Sequence, residues 1–283
     1  MCYYLASMSS RYDVIVIGGG ASGMMAAGRA AERGLRALLL EKNKILGKKL
    51  SITGGGRCNI LNAEPDTRTL LAHYGEAAKF LHAPFSQHGM QDSWDFFHKC
   101  GLPIVVEARK RAFPKSQSAP EVTAVMRRYC IDHNVELKLK TKAVGLITEP
   151  VDDSSRVVGV QTNQGDFYSS AVVLATGGSS HAETGASAEG VSWLRRYGHT
   201  VYEPNPNLVP LVVEEQWVKA LSGTTLSFMK ITFTDYKNTK ATRFSKTGKI
   251  LFTHFGVSGP LILNAAHQVK ELLKAGPVLA SID

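Results

Sequence analysis

A glycine-rich turn follows directly behind an apolar run near the start of the chain. The apolar run Tyr12–Ile17 is typical of a buried strand, and the turn has the sequence Gly18-Gly19-Gly20-Ala21-Ser22-Gly23. Gly18 permits a tight turn, and Gly20 lets the main chain approach a diphosphate group. Gly23 allows the following helix to pack closely against the strand. This spacing predicts a site for a dinucleotide.

The residues after the turn strengthen this prediction. Ala21 and Ser22 begin a predicted helix, whose free N–H groups and positive dipole end would face the phosphates. A second apolar run, Leu35–Leu40, ends at Glu41. A carboxylate at this position can accept hydrogen bonds from ribose hydroxyls, which favours an unphosphorylated ribose. A flexible glycine turn without a ligand is the alternative, and the flanking strands and the acid argue against it.

A second glycine-rich segment has the sequence Thr53-Gly54-Gly55-Gly56-Arg57-Cys58-Asn59. Three consecutive glycines lose much backbone freedom on ordering, and a cofactor or substrate lying against the main chain would explain them. Arg57 could fix an anionic group. It could also lower the pKa of the neighbouring thiol, although a packing role for Cys58 is the preferred interpretation. A mobile surface loop is an equally weighted alternative for the whole segment.

A third candidate segment ends the apolar run Ala171–Ala175. Its sequence is Ala175-Thr176-Gly177-Gly178. Ligands of open parallel sheets lie beyond the carboxyl ends of the strands. We therefore expect this segment and the first glycine turn to face one ligand.

Composition narrows the class of protein. The chain has 283 residues with 44% hydrophobic content, enough for about two domains. Its net charge of +9 comes from widely spread basic residues. A solvated basic surface is the first explanation, an anionic cofactor or substrate the second, and nucleic acid the third. The sequence contains no apolar stretch long enough to span a membrane.

The cysteine and histidine patterns exclude several chemistries. The four cysteines show neither a C-x-x-C pair nor a disulfide-framework spacing. We therefore expect reduced thiols in a cytoplasmic protein. The nine histidines show no metal-ligand spacing, so no metal site is predicted.

Hydrophobic periodicity predicts an α/β fold with a parallel sheet and a β-meander crossover, followed by a β-rich and helical domain. The predicted boundary divides residues 1–204 from 205–283, and Met1–Ser10 is expected to be a disordered leader. The predicted helices are Ala21–Gly34, Thr67–Leu81, Gln87–Cys100, Ala119–His133, Ala188–Tyr197 and Ser258–Lys274. The predicted strands are Tyr12–Ile17, Leu35–Glu41, Val135–Lys140, Ala143–Glu149, Arg156–Thr162, Asp166–Tyr168, Ala171–Ala175, Leu208–Glu214, Leu226–Asp235 and Ile250–Thr253.

These segments together resemble the BaiN-type (YhiN-like) bacterial flavoproteins, described as NAD(P)/FAD-dependent oxidoreductases. The resemblance covers nearly the whole chain. It rests on Val14–Gly23, Gly54–Asn59, Phe113-Pro114-Lys115, Ala175–Gly178 and the block Leu251-Phe252-Thr253-His254-Phe255-Gly256-Val257-Ser258-Gly259-Pro260. It implies FAD in a two-dinucleotide-type Rossmann domain with an inserted β-rich domain. Family members continue beyond the position of Asp283, so we expect the inserted domain to be incomplete.

The resemblance also implies roles for individual residues. Gly18, Gly20, Ser22 and Gly23 would meet the pyrophosphate, with Glu41 on the adenosine ribose and Lys42 beside it. Thr53–Asn59 would approach the ribityl chain and flavin, Val144 the adenine, and Thr176–Gly178 the rear edge of the cofactor.

Catalytic candidates are fewer. His254 lies in a glycine- and proline-punctuated loop and could present a proton donor over the flavin; a hydrogen bond within its own turn is the alternative. Arg57 is the second catalytic candidate. Its charge favours a substrate that is an anionic or carbonyl-bearing small molecule. The chain has no second dinucleotide motif, so NADH or NADPH would be a transient electron donor. The rival interpretations are a flavin-dependent RNA-modifying enzyme, an inactive FAD-binding fragment and a plain NAD dehydrogenase.

Overall fold

The computed structural model describes residues 11–151, 154–202, 208–236 and 243–283. Contacts divide the chain into two compact units, residues 1–202 and residues 203–283. Two predicted features lie outside the described residues: the leader Met1–Ser10 and the domain boundary between residues 204 and 205. Each unit is described by itself below.

Fourteen strands and eight α-helices make up the described residues. The strands are β1 (Tyr12–Ile17), β2 (Ala37–Leu40), β3 (Leu61–Asn62), β4 (Ile104–Glu107), β5 (Arg111–Pro114), β6 (Glu136–Lys138), β7 (Ala143–Val151), β8 (Ser154–Thr162), β9 (Gly165–Leu174), β10 (Leu211–Val212), β11 (Thr225–Asp235), β12 (Arg243–Thr253), β13 (Gly256–Ser258) and β14 (Val278–Ile282). The helices are α1 (Ala21–Glu32), α2 (Thr67–Ala72), α3 (Ala78–Gln87), α4 (Met90–Lys99), α5 (Ala119–Asp132), α6 (Glu189–Arg196), α7 (Gln216–Ala220) and α8 (Pro260–Leu273).

The first unit is built on a six-stranded sheet in the order β6-β2-β1-β9-β8-β7. The first four strands run parallel, and β9, β8 and β7 form an antiparallel meander. The single strand β9 belongs to both parts, because its first residues pair with β8 and its later residues pair with β1. This topology confirms the predicted α/β Rossmann-like fold with a parallel sheet and a β-meander crossover.

Helices cover both faces of β1 and β2, which explains why these two strands are apolar except at Asp13. On one face, α1 and α5 pack against Val14, Val16 and Leu39. Gly28 of α1 makes this packing close, since a Cβ there would lie 2.3 Å from the Tyr129 ring of α5. On the other face, Trp193 of α6 joins the core.

Several elements differ from the sequence-based expectation. The predicted helix Thr67–Leu81 is divided into α2, a short 3₁₀ turn at Gly75–Ala77 and α3, because Gly75 adopts a left-handed φ of 56°. The two short strands predicted before and after Ser169 are one continuous strand, β9. The three-stranded sheet β3-β5-β4 was not predicted. Its strands have four residues or fewer, too short for a clear alternating pattern.

The second unit is a five-stranded antiparallel sheet in the order β10-β13-β12-β11-β14. Helix α8 packs on one face, where Ile262 meets Ile231, Phe233, Ile250 and Phe252 in one core. The predicted strand Leu208–Glu214 is reduced to β10, whereas the predicted strand Ile250–Thr253 begins earlier, at Arg243. Exposed and partly buried residues alternate along the early part of β12, as expected for a sheet with one covered face.

Two kinds of feature are absent from the described residues. No helix in this part of the chain has the length and apolar character needed to cross a membrane. Within the same residues, no group of three or more His, Cys, Asp or Glu side chains is arranged to hold a metal ion.

Candidate functional site

A cavity of about 360 Å³ opens at the carboxyl ends of β1, β2 and β9, next to the first turn of α1. Its volume lies within the range of about 300–1,000 Å³ that is usual for ligand sites. Its position beyond the strand ends is where open α/β sheets bind ligands. The residues predicted to bind a cofactor that line it are Gly18, Gly20, Ala21, Ser22, Glu41, Lys42, Thr53, Ala175, Thr176 and Gly177.

Each of three glycines in the first turn is explained by a different feature of its surroundings. Gly18 adopts a φ of +109°, and a Cβ there would lie 2.3 Å from the carbonyl oxygen of Ala175. At Gly23 a Cβ would lie 1.7 Å from the carbonyl oxygen of Gly18, so only glycine lets α1 start this close to β1. At Gly20, by contrast, a Cβ would meet no atom of the described residues within 4 Å. Gly20 therefore faces free space in front of the main chain.

Helix α1 begins at this free space with an uncapped amino end. Its N-cap residue is Gly20, which has no side chain to accept a hydrogen bond, and its first turn contains no acidic residue. Ala21 and Ser22 are exposed and line the cavity. The first N–H groups of a helix lack partners within the helix and favour an anion. This end of the cavity is therefore suited to a phosphate group.

Glu41 is a buried carboxylate at the wall of the cavity, with 7% of the residue exposed. Its Oε2 accepts a hydrogen bond of 2.8 Å from the backbone N–H of Gly19. Its Oε1 accepts bonds from both the backbone N–H and the side-chain amide of Asn43, at 2.7 and 2.8 Å. A carboxylate oxygen has two lone pairs. Oε2 therefore retains one acceptor position after these bonds, enough for one hydroxyl group of a ligand.

Four lysines and two glutamates line the cavity, so its walls carry an excess of positive charge. The lysines are Lys42, Lys48, Lys49 and Lys142, and the glutamates are Glu41 and Glu189. Lys142 forms an ion pair with Glu189 at 3.0 Å, and this partner lowers the pKa of the Glu189 carboxyl. An anionic ligand would complement the remaining lysines.

The segment between β9 and α6 forms another wall of the cavity and is held there by three side chains from the β2 side. Lys48 Nζ donates to the carbonyl of Glu183 at 2.8 Å, and Lys49 Nζ donates to that of Ser180 at 2.5 Å. Asn43 donates to the carbonyl of Thr184 at 3.2 Å. These contacts bring residues more than 130 positions apart to one site.

Other predicted cofactor residues lie outside the cavity lining. Gly23 is buried behind the turn, and Val144 is 54% exposed, with its neighbour Ala143 lining the cavity instead. This follows from the alternation of side chains in a strand. Gly178 lies beyond the last lining residue of its segment. Within the second glycine-rich segment only Thr53 lines the cavity, and Gly54, Gly55, Gly56, Arg57, Cys58 and Asn59 do not.

This second glycine-rich segment is nevertheless ordered by its own geometry. Gly54, Gly55 and Gly56 all adopt left-handed φ values, of 58°, 67° and 84°. Left-handed φ is costly for residues with a Cβ, which explains the run of glycines. Asn59, with its amide oriented to satisfy both polar atoms, donates to the carbonyls of Ala112 and Leu61.

Arg57 is engaged by the three-stranded sheet β3-β5-β4 and the residues after it. Its guanidinium forms an ion pair with Glu107, donates to Gln117 Oε1 at 2.6 Å and stacks 4.1 Å from the ring centroid of Phe113. The neighbouring Cys58 is buried, and burial raises the pKa of its thiol. Burial therefore opposes a lowered pKa of the Cys58 thiol, and packing stays the preferred interpretation of this residue.

His254 belongs to the second unit. It lies in the turn between β12 and β13, is exposed, and packs edge-on against the ring of Phe255 with the centroids 4.9 Å apart. Its catalytic role stays a prediction.

The structure adds cavity residues that the sequence analysis did not select. Asn43, Thr141, Lys142, Ser187, Glu189 and Trp193 all line the cavity. Asn43 could have been selected from the sequence, because it follows the predicted ribose-binding residue Glu41 by two positions. Lys142 and Glu189 lie 47 residues apart and pair only through the fold.

Comparisons with known proteins agree with this architecture. A ribosomal RNA dihydrouridine synthase of Escherichia coli (strain K12) is 27% identical over 260 residues, which is 89% of this chain and 60% of that protein. A 3-dehydro-bile acid delta(4,6)-reductase of Clostridium scindens is 27% identical over 275 residues, or 95% of this chain and 63% of that protein. The chain thus spans about three fifths of the length of these curated relatives.

Solved structures share the fold. A 3-ketosteroid delta1-dehydrogenase from Sterolibacterium denitrificans matches with a TM-score of 0.55 and 17% identity, over 77% of this chain and 62% of that chain. A flavocytochrome c3 fumarate reductase in its open conformation matches with a TM-score of 0.51 and 20% identity, over 78% of this chain and 48% of that chain. The model of the HI0933-like protein Rossmann domain matches residues 12–280. The chain therefore belongs to the HI0933-like Rossmann family, as the resemblance to BaiN-type and YhiN-like proteins predicts.

Proposed function

We propose that this cavity binds FAD and that the complete protein is an FAD-dependent oxidoreductase. Gly18, Gly20, Ala21 and Ser22 would hold the diphosphate, and Glu41 would accept a ribose hydroxyl. Membership in the HI0933-like family and the resemblance to BaiN-type flavoproteins support FAD as the dinucleotide. The name of the Clostridium scindens relative supports reductase chemistry.

One observation carries the proposal: the space in front of Gly20 coincides with the uncapped end of α1. No atom in the described part of the chain fills this space within 4 Å of the position of a Cβ. Main-chain donors converge on it, and Glu41 lies on the neighbouring wall. A diphosphate linked to a ribose fits this combination of groups.

The division of chemical work follows from the site. When bound, the flavin ring supplies hydride or electron transfer. The chain's own residues orient the cofactor through the first turn of α1 and present cations from Lys48 and Lys49. The substrate we propose is a small anionic or carbonyl-bearing molecule, and NADH or NADPH would serve as a transient electron donor.

Titration with FAD, followed by visible absorption and flavin fluorescence, tests the binding step. We expect the wild-type chain to bind FAD and Gly20→Val to bind it at least about tenfold more weakly, because the branched side chain occupies the diphosphate space. The substitution introduces no backbone strain, since Gly20 has a φ of −80°. Equal FAD affinity in a folded Gly20→Val protein would overturn the proposal.

Anaerobic mixing of the FAD-loaded protein with NADH or NADPH tests the redox step. Bleaching of the flavin band supports an oxidoreductase. Retained flavin that a chemical reductant bleaches but neither nicotinamide donor bleaches supports an inactive FAD-binding fragment. Adenine-nucleotide binding without any flavin binding supports a plain NAD dehydrogenase.

A flavin-dependent RNA-modifying enzyme is the second candidate. Two observations favour it: the Escherichia coli and Haemophilus influenzae relatives are both named ribosomal RNA dihydrouridine synthase, and the chain has a net charge of +9. Reduction of a uridine double bond is flavin chemistry of the same class as reduction of a small molecule. Incubation of the reduced protein with unmodified ribosomal RNA, followed by mass analysis of its nucleosides, distinguishes the two candidates.

A further inference from the structure

The five-stranded sheet of the second unit has two chemically different faces. Helices α7 and α8 pack against the face that carries Ile231, Phe233, Ile250 and Phe252. Successive side chains of a strand alternate between faces, so the residues between these positions lie on the opposite side. We call that side the outer face. Its described members on β11 and β12 are Thr225, Lys230, Thr232, Thr234, Arg243, Ser245, Thr247, Lys249, Leu251 and Thr253.

The outer face carries cations and hydroxyl groups. Lys230, Arg243 and Lys249 are exposed, and the hydroxyls of Thr232 and Ser245 lie 2.8 Å apart between them. Among the residues that the structure describes, the carboxylate in register with this face belongs to Asp283, whose backbone pairs with Lys230. Three cations against one carboxyl side chain give the outer face a positive charge.

An aromatic side chain is held out beside these cations. Phe228 lies in a β-bulge of β11, between Leu226 and Met229. It adopts a left-handed φ of 61° and is 90% exposed. Leu226 and Met229 pack towards the core, so the bulge leaves Phe228 in solvent. Left-handed backbone is an outlier for a bulky residue, and such strain concentrates at functional positions.

We infer that the outer face binds single-stranded nucleic acid. Phe228 offers a ring on which a base can stack, and the three cations offer contacts to successive phosphates. An exposed aromatic platform combined with a positively charged surface is the arrangement that proteins use for single strands. A membrane surface would require a broad apolar area, whereas the bulge places Phe228 opposite Lys249 and two residues before Lys230. The inference concerns the second unit alone and needs no bound flavin.

Fluorescence anisotropy with a labelled single-stranded RNA of mixed sequence tests this inference on the complete chain. A probe of about 12 nucleotides is within the site sizes of about 4–16 nucleotides known for such surfaces. We expect binding that weakens as salt rises, because phosphate contacts release counterions. A lack of binding at low salt would overturn the inference. Binding to vesicles of anionic phospholipid in preference to the RNA would also overturn it.

Phe228→Ala examines the stacking platform. We expect RNA affinity to fall by about 5- to 100-fold, the range that corresponds to the loss of one stacked base. Phe228→Trp should restore the affinity. Phe80→Ala is the matched control, because Phe80 is also an exposed phenylalanine, 80% accessible on α3. Equal losses in the Phe228→Ala and Phe80→Ala proteins would contradict a specific role for the outer face.

Lys249→Ala examines the phosphate contacts. The slope of log affinity against log salt should become shallower by about 0.7, the value for one contact to a single strand. Lys79→Ala on α3 should leave the slope unchanged. An unchanged slope in the Lys249→Ala protein would refute this contact. Because FAD titration of the same variants reports on the first unit, failure of this inference and failure of the proposed function are distinguishable.

Discussion

At the scale of single residues, partners decide what each candidate group can do. The Glu41 carboxylate is held by Gly19 and Asn43, so one acceptor position remains for a ligand in the cavity that Glu41 lines. Arg57 has the charge to bind an anion but is already paired with Glu107 and Gln117. The partners of a side chain therefore decide which contacts remain for a ligand, and the catalytic role of Arg57 stays a prediction.

Cys130 gives a pH-dependent prediction at this scale. It is fully buried, its Sγ lies 3.3 Å from the carbonyl oxygen of Met24, and burial raises its pKa from 9.0 to about 11. The folded protein therefore keeps the thiol proton over a range in which the unfolded chain loses it. The stabilisation is complete below about pH 9 and is lost as the pH rises towards about 11.

The expected loss from this thiol is about 2–3 kcal/mol, at about 1.4 kcal/mol for each pKa unit. Urea unfolding at about pH 8 and about pH 10.5 measures it. The Cys130→Ala protein is the control, and its free energy of unfolding should fall less over the same interval. Parallel pH profiles for the two proteins would show that Cys130 does not contribute.

At the scale of elements, the junction of β1 and α1 sets the geometry of the site. The closeness of Gly18 and Gly23 fixes where α1 starts, and that start aims its free N–H groups at the cavity. The amino end of the helix and the end of the strand are therefore one structural feature. A change that moves α1 would affect both stability and ligand binding.

Gly23→Ala and Gly20→Ala form a matched pair that tests this junction. A Cβ at Gly23 would collide with the Gly18 carbonyl, so α1 must shift, at a cost of about 3 kcal/mol or more in unfolding free energy. A Cβ at Gly20 meets free space, so Gly20→Ala should cost only about 1 kcal/mol, the loss usual when alanine occupies an N-cap position. Chemical denaturation of both variants measures the difference. Similar costs at the two positions would be inconsistent with the described junction.

At the scale of the whole molecule, two compact units divide the chain's chemistry. The first unit contains the candidate cofactor cavity, and the second unit contains the β-rich sheet with its exposed outer face. The net charge of +9 includes both the cavity lysines and the cations of the outer face. Positive charge is therefore found at two places where an anionic partner could bind, the cavity and the outer face.

FAD should stabilise the folded chain by mass action. At about 100 times its dissociation constant, a ligand that binds the native state alone adds about 2.7 kcal/mol to the unfolding free energy. Calorimetry with increasing FAD measures this effect on the unfolding of the first unit. FMN, which lacks the adenosine that Glu41 would contact, should stabilise less at equal concentration. Equal stabilisation by FMN and FAD would contradict the proposed contacts of the cofactor with Glu41 and the α1 turn.

Local sequence patterns were sufficient to predict the βαβ unit, the glycine turn and the acid after β2. These features depend on residues close together in the chain, where apolar runs and glycine spacing directly report backbone geometry. The sequence also predicted the β-meander and the family. The strand order confirms the first, and the family match confirms the second. The break in the predicted helix Thr67–Leu81 and the short strands β3–β5 could not be predicted, because such brief sequence patterns do not distinguish one secondary structure from another.

The grouping of distant residues into one site depended on the three-dimensional fold. Lys142 meets Glu189, Asn43 reaches Thr184, and Arg57 is paired with Glu107 because the sheet and its loops bring them together. Contacts between such separated positions leave no local pattern in one sequence, since neither partner's neighbours depend on the other. The local sequence therefore determined the glycine turn between β1 and α1, while long-range packing determined the remaining walls of the cavity.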